Sequence, residues 1–170
     1  MIYSAAVITI SDKGSVGERE DTSGPALCQM LEEAGYAVTE KDILPDDYEK
    51  IREKLINLAD EKKCALILTT GGTGFSKRDV TPEATLSVLE KEARGIPEAM
   101  RYASLQITPR ACLSREVAGI RGDSLIINLP GSKKASTENL TAVLDSLMHG
   151  IDVLRGNTHD CGEENHHQHG

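Results

Sequence analysis

The feature that most constrains this chain is an alternation. Short continuous apolar runs, rich in β-branched residues, take turns with stretches whose apolar residues repeat at helical spacing. Ala5 to Ile10 reads as a first strand covered on both faces. Leu27, Met30, Leu31 and Ala34 follow Pro25 as a helix that Gly35 stops. Val38 to Leu44 is a more polar strand, nearer an edge, ended by Pro45. Ile51, Leu55, Leu58, Ala59 and Lys62 mark a second amphipathic helix, and Cys64 to Thr69 a buried third strand. Thr81-Pro82-Glu83 supplies an N-cap, a proline at the first helical position and an acid in the first turn. Leu125 to Leu129 is a fourth strand, and Leu140 to Leu154 carries a long last helix. Between Gly95 and Gly122 the pattern is weaker: Pro97 to Ser104 reads as helix, while Ala111-Cys112-Leu113 and Val117 to Ile120 read as short strands. Repeated strand–helix–strand units predict an α/β fold: a three-layer α/β/α sandwich around a mostly parallel sheet.

The 170 residues fit one domain, expected over 1–156, with a polar, His-rich tail over 157–170. Within that tail, His159, Asp160, Cys161, His166, His167 and His169 have the chemistry of metal ligands but no rigid scaffold, and the plain polar tail is the expected state. Nineteen basic residues against 27 acidic ones give a net charge of −8, which argues against binding nucleic acid through its phosphates. Aromatics at 3% also leave little to stack single-stranded bases on. The first ten residues lack a basic leader region, and no apolar run nears the ~18 residues of a membrane span. The four cysteines are scattered without a Cys-x-x-Cys pair, as expected of a cytoplasmic protein.

Ligands of such sheets bind at the carboxyl ends of the strands. Three loops stand there: Ser11-Asp12-Lys13-Gly14, Thr69-Thr70-Gly71-Gly72-Thr73-Gly74, and Pro130-Gly131-Ser132-Lys133-Lys134. Glycines let backbone N–H groups curl around an anion, and the threonine hydroxyls add donors. The loop lacks the Gly-Lys-Ser/Thr of a Walker motif and the third glycine of a dinucleotide fingerprint, so it is either a phosphate cradle or a tight turn. Asp79 either holds Mg²⁺ beside that cradle or forms a turn with its own backbone. One of Asp46 and Asp47 caps the next helix, which leaves the other free. Asp12 is open between a turn and a ligand role. Ser114-Arg115 and Lys133-Lys134 are either contacts for a second anion or solvated surface. Ser11, Ser114 and Ser132 have no histidine partner in a catalytic pattern, which argues against a Ser-His-Asp hydrolase.

The motifs taken together resemble a known family. Ser11-Asp12-x4-Gly17-x3-Asp21-Thr22-Ser23-Gly24-Pro25, Leu44-Pro45-Asp46-Asp47, the run from Thr69 to Thr85, Leu113-Ser114-Arg115 and Ile127 to Ser132 are similar to the molybdopterin adenylyltransferase family of molybdenum-cofactor biosynthesis. Lys133 departs from the family's usual Pro-Gly-x-Pro. The resemblance implies a reaction in which AMP passes from ATP to the terminal phosphate of molybdopterin, releasing pyrophosphate, with Mg²⁺ required. It implies that Asp46 and Asp79 are the two catalytic aspartates, and the place of Asp79 beside the cradle makes it the expected Mg²⁺ ligand. It also implies that Gly71, Gly72, Thr73, Gly74 and Ser114 bind ligand, and the three loops add Ser11, Asp12, Thr70, Arg115, Pro130, Gly131 and Ser132 to the expected ligand surface. A homotrimer and transient contacts with molybdenum-insertion and molybdopterin-synthesis proteins are further expectations. The alternatives are a paralogue that binds molybdopterin without adenylylating it, and a trimeric scaffold module.

Overall fold

The computed structural model describes residues 1–157. The chain opens with β1 (Ser4–Ile10), a one-turn helix α1 (Asp12–Ser15) and α2 (Ser23–Glu33), then β2 (Ala37–Leu44) and α3 (Tyr48–Ile56). A π turn at Asn57–Glu61 leads to β3 (Leu66–Thr70) and α4 (Thr81–Leu86). Then come β4 (Lys91–Glu92), α5 (Gly95–Leu105), a 3₁₀ turn at Pro109–Leu113, β5 (Ala118–Arg121), β6 (Ser124–Leu129) and α6 (Lys133–Leu154). The histidine- and cysteine-bearing tail lies outside the described residues.

The six strands form one sheet in the order β2-β1-β3-β6-β5-β4. The first four are parallel, and β5 and β4 join antiparallel on the far side. Alternate residues of the inner strands feed two cores. Ala5 and Val7 of β1, with Leu66 and Leu68 of β3, pack under α2, α5 and α6 against Leu27, Leu31, Met100, Leu140 and Leu147. Ala6, Ile8 and Ile67 face the other way, toward Ile51, Leu55 and Leu58 of α3 and the adjoining π turn, and Ala84 of α4. Leu66, Ile67 and Leu68 are wholly buried, so truncating one to alanine should cost ~2–5 kcal/mol. This is the three-layer α/β/α arrangement the alternation predicts, with polar β2 at an edge.

Two local expectations need correction, and one strand was not foreseen. Ala111-Cys112-Leu113 is a 3₁₀ turn, not a strand. Pro109 starts it without a backbone N–H, the Thr108 hydroxyl accepts from the Arg110 N–H, and Cys112 and Leu113 stay exposed. At α4, Val80 takes the cap position without a side-chain bond, so Thr81 is the first helical residue and not its cap. Lys91–Glu92, too short and charged to announce a strand, pairs with Ile120 and Gly119 of β5.

Candidate active site

The four parallel strands end on one side, so the loops after β1, β2, β3 and β6 converge there. Chain direction across the sheet reverses between β1 and β3, the place where such folds open a crevice. A cleft of about 640 Å³ lies over that point, within the range of small-molecule sites. Its walls include Ser11, Asp12, Asp46, Thr70, Gly71, Gly72, Asp79, Gly131 and Ser132.

Glycine at 71 and 72 is required by contact as well as by dihedral. Gly71 has φ +109°, and a Cβ there would sit 2.2 Å from the Ile10 carbonyl oxygen. Gly72 has φ +68°, and its Cβ would sit 2.3 Å from Thr81 Oγ1. Gly131 packs so close that its own Cβ would lie 3.3 Å from Gly71 Cα. The Gly71 N–H donates to the Leu129 carbonyl at 3.0 Å, and the Thr70 hydroxyl donates to the Pro130 carbonyl at 2.6 Å. The ends of β1, β3 and β6 are thus locked around one glycine.

Asp47 caps α3, accepting from the Lys50 N–H at 3.0 Å, and Asp46 is the free partner. Asp46 Oδ2 accepts from the Asp12 N–H, and Asp12 Oδ1 accepts from the Asp46 N–H, each at 3.0 Å. Arg78 then grips Asp12 through Nε at 3.0 Å and Nη2 at 2.9 Å, so Asp12 ties the loops together while standing on the cleft wall. This guanidinium holds the Asp12 carboxyl below its usual range. Burial, with the charges of Asp12 and Asp79 beside it, pushes Asp46 above its usual range despite the Asp12 N–H and Arg78. Asp79 Oδ2 accepts from the Ser76 N–H at 2.9 Å, a local turn contact, and its other oxygen accepts no hydrogen bond among the described residues.

Thr73, Gly74, Pro130, Ser114 and Arg115 stand behind the cleft rather than on its wall. Arg115 braces the signature loop from outside: it donates to the Gly74 carbonyl at 2.8 Å, to the Asp79 carbonyl at 3.0 Å and to Glu83 at 2.7 Å, while its N–H meets the Thr73 carbonyl at 2.9 Å. The Ser114 hydroxyl makes a short hydrogen bond to buried Glu116, whose carboxyl burial pushes up. Lys133 is the first residue of α6, which Ser132 caps by accepting from the Ala135 N–H at 3.1 Å.

Sequence reasoning met Lys13, Asp21 and Arg78 only as members of motifs, without a role of their own, and did not reach Arg19 and Glu20, which also line the wall. Asp21 accepts from the Thr9 hydroxyl at 2.8 Å and from the Gly24 N–H at 2.9 Å, so it caps α2 from the lip of the cleft. The spacing of Asp21, three residues before Gly24 and ahead of an apolar run, was the available signal.

Residues 6–149 match a family described as a probable molybdopterin binding domain. A molybdopterin adenylyltransferase of Helicobacter pylori is 44% identical over 161 residues, covering 94% of this chain and 92% of that protein. One from Escherichia coli is 44% identical over 151 residues, covering 85% and 77%. The crystal structure of the molybdopterin biosynthesis enzyme MoaB from Thermus thermophilus has a similar fold, with a TM-score of 0.87 at 44% identity, covering 91% of this chain and 98% of that one.

Proposed function

The chain belongs to the molybdopterin-binding domain family, and we propose that it is a molybdopterin adenylyltransferase whose active site is the cleft over β1 and β3. The observation that carries this reading is the meeting of Asp46, Asp79 and the Gly71–Gly72 turn on one wall, in a chain so similar to enzymes of that name. A binding-only paralogue or a scaffold would have no need of two carboxylates with unused oxygens beside a glycine cradle.

The reaction is a displacement at phosphorus. A terminal-phosphate oxygen of molybdopterin attacks the α-phosphorus of ATP, the bond to the β-phosphate bridging oxygen breaks, and pyrophosphate leaves. No electrons change hands, so positioning and neutralisation of charge carry the catalysis. The backbone at Gly72, the Ser11 hydroxyl and the loop at Gly131 and Ser132 hold the phosphates, while the Gly71 N–H and the Thr70 hydroxyl, already given to the Leu129 and Pro130 carbonyls, set the shape of the cradle. Asp12 acts indirectly, by fixing Asp46. Thr73, Gly74, Pro130 and Arg115 shape the loops from behind, and Ser114 meets the part of the ligand that reaches past the signature loop.

Five carboxylates but only three cationic side chains line the cleft, an unfavourable setting for a polyphosphate by itself. That balance and the free oxygens of Asp46 and Asp79 fit a divalent cation. Asp79, with Asp46 near it, would hold Mg²⁺, which supplies neutralisation of the phosphates when bound. The further reading is a homotrimer working in the cytoplasm and passing its product to molybdenum-insertion proteins after receiving substrate from molybdopterin-synthesis proteins. Exposed Tyr102, Leu105, Ile107 and Leu113 supply apolar surface for assembly, and Cys28 and Cys64 are buried as free thiols. No helix among the described residues is long and apolar enough to cross a membrane. The test is pyrophosphate release from MgATP with and without molybdopterin: release that needs molybdopterin supports the enzyme, and tight binding without release supports the binding-only paralogue.

A further inference from the structure

Among the described residues, threonine hydroxyls that are completely buried find partners. Thr69 Oγ1 accepts from Asn128, Thr70 Oγ1 donates to the Pro130 carbonyl, and Thr85 Oγ1 donates to the Thr81 carbonyl. Thr81 is the exception: its side chain is fully enclosed and Oγ1 makes no hydrogen bond among the described residues. An unmade buried hydrogen bond costs free energy, so an orphan hydroxyl inside the signature motif calls for a reason.

Its surroundings supply one. The point where a Cβ on Gly72 would stand lies 2.3 Å from Thr81 Oγ1 and 2.9 Å from Asp46 Oδ1. Both oxygens therefore press on the same side of Gly72, and the Thr81 N–H holds that glycine in place through its carbonyl at 3.2 Å. Asp46 Oδ1 is the oxygen left over once Oδ2 has taken the Asp12 N–H. A donor without an acceptor and an acceptor without a donor thus share one small space, open only because residue 72 has no side chain.

We infer that Thr81 is a positioning residue for the adenylyl transfer: its hydroxyl is the donor for Asp46 Oδ1 as substrates settle, and it fixes the orientation of that carboxylate toward the reacting phosphates. The inference rests on the reading of Asp46 as an active-site carboxylate. It gives Gly72 a second purpose, that of leaving the path between the two groups clear. A purely structural Thr81 behaves differently. Replacing an unpaired buried hydroxyl by a methyl of the same shape would then be neutral or stabilising and would leave turnover untouched.

The experiment compares Thr81→Val, Thr81→Ser and Asp46→Asn in the full chain, measuring molybdopterin-dependent pyrophosphate release and melting temperature. Thr81→Val is expected to lower kcat roughly 10- to 100-fold, the size of one hydrogen bond to a charged group, with both KM values and the melting temperature held. Thr81→Ser, which keeps the hydroxyl, is expected to restore most of kcat. Should the valine variant fold poorly, Thr81→Ala removes the same hydroxyl and is read the same way. Wild-type kcat in Thr81→Val, alongside an inactive Asp46→Asn, overturns the role of Thr81 and leaves that of Asp46 standing. Full activity in Asp46→Asn overturns both. A Thr81→Ser variant as slow as the valine overturns the hydroxyl as the cause.

Discussion

Asp12 and Asp46 hold each other by a reciprocal exchange, each carboxylate accepting the backbone N–H of the other at 3.0 Å. The exchange fastens the end of β1 to the end of β2 and brings two like charges together. Arg78 pairs directly with Asp12 and reaches Asp46 only through space, so burial, helped by the neighbouring carboxylates, still leaves Asp46 with a raised proton affinity. The loop carrying Arg78 follows β3, so three strand ends are tied at the mouth of the cleft.

Arg78→Ala is expected to affect substrate binding more than folding. Its ion pair with Asp12 is largely exposed, so the loss of stability should stay within about 1 kcal/mol. The cleft, however, would lose one of its three cations. KM for ATP should rise several-fold with a nearly unchanged melting curve; a large fall in melting temperature with normal KM would contradict this.

Gly72→Ala should damage both fold and chemistry. The residue sits at φ +68°, and the new Cβ would meet Thr81 Oγ1 and Asp46 Oδ1 at 2.3 and 2.9 Å. Strain of this kind costs ~1–3 kcal/mol, and the displaced carboxylate should abolish most turnover. Circular dichroism melting and pyrophosphate release read the two effects; a variant with wild-type turnover would refute the close approach.

Glu116 gives a prediction in pH. Burial raises its carboxyl, so the folded chain holds that proton more tightly than the unfolded one. The stabilisation is complete below the ordinary value of 4.5 and is lost as pH rises through the higher folded value. Glu116→Gln, which keeps the shape and titrates nowhere, should melt with the wild type near pH 4 and above it at pH 8. Equal melting temperatures at both values would show that Glu116 is not held protonated.

A homotrimer predicts light scattering from three chains of 18.4 kDa at micromolar concentration. Leu113→Glu and Ile107→Glu, which place charge on exposed apolar surface, should weaken it. A monomer at that concentration would contradict the assembly.

The inner strands were legible because burial on both faces leaves an unmistakable apolar run, as in Leu66-Ile67-Leu68. The antiparallel pair was not: β4 is two charged residues that become a strand only through Ile120 and Gly119. Ala111-Cys112-Leu113 looked like a strand by composition, yet Pro109 and Thr108 beside it set a 3₁₀ turn. At the site, the glycines and Asp46 were readable because loop position and helix capping are local. The clasp of Arg78 on Asp12 spans 66 residues, and the orphan hydroxyl of Thr81 exists only relative to Gly72. Such relationships have no period or spacing to reveal them.

The central claim is that the cleft bearing Asp79 performs adenylyl transfer, and Asp79→Asn tests it most directly. Asn keeps the size of the side chain and an oxygen for the Ser76 N–H, so the melting temperature should hold. Only the negative charge toward the phosphates and their cation is lost. Molybdopterin-dependent pyrophosphate release at saturating MgATP is expected to fall roughly 10²–10³-fold. Near-wild-type release in a folded Asp79→Asn protein would contradict the account.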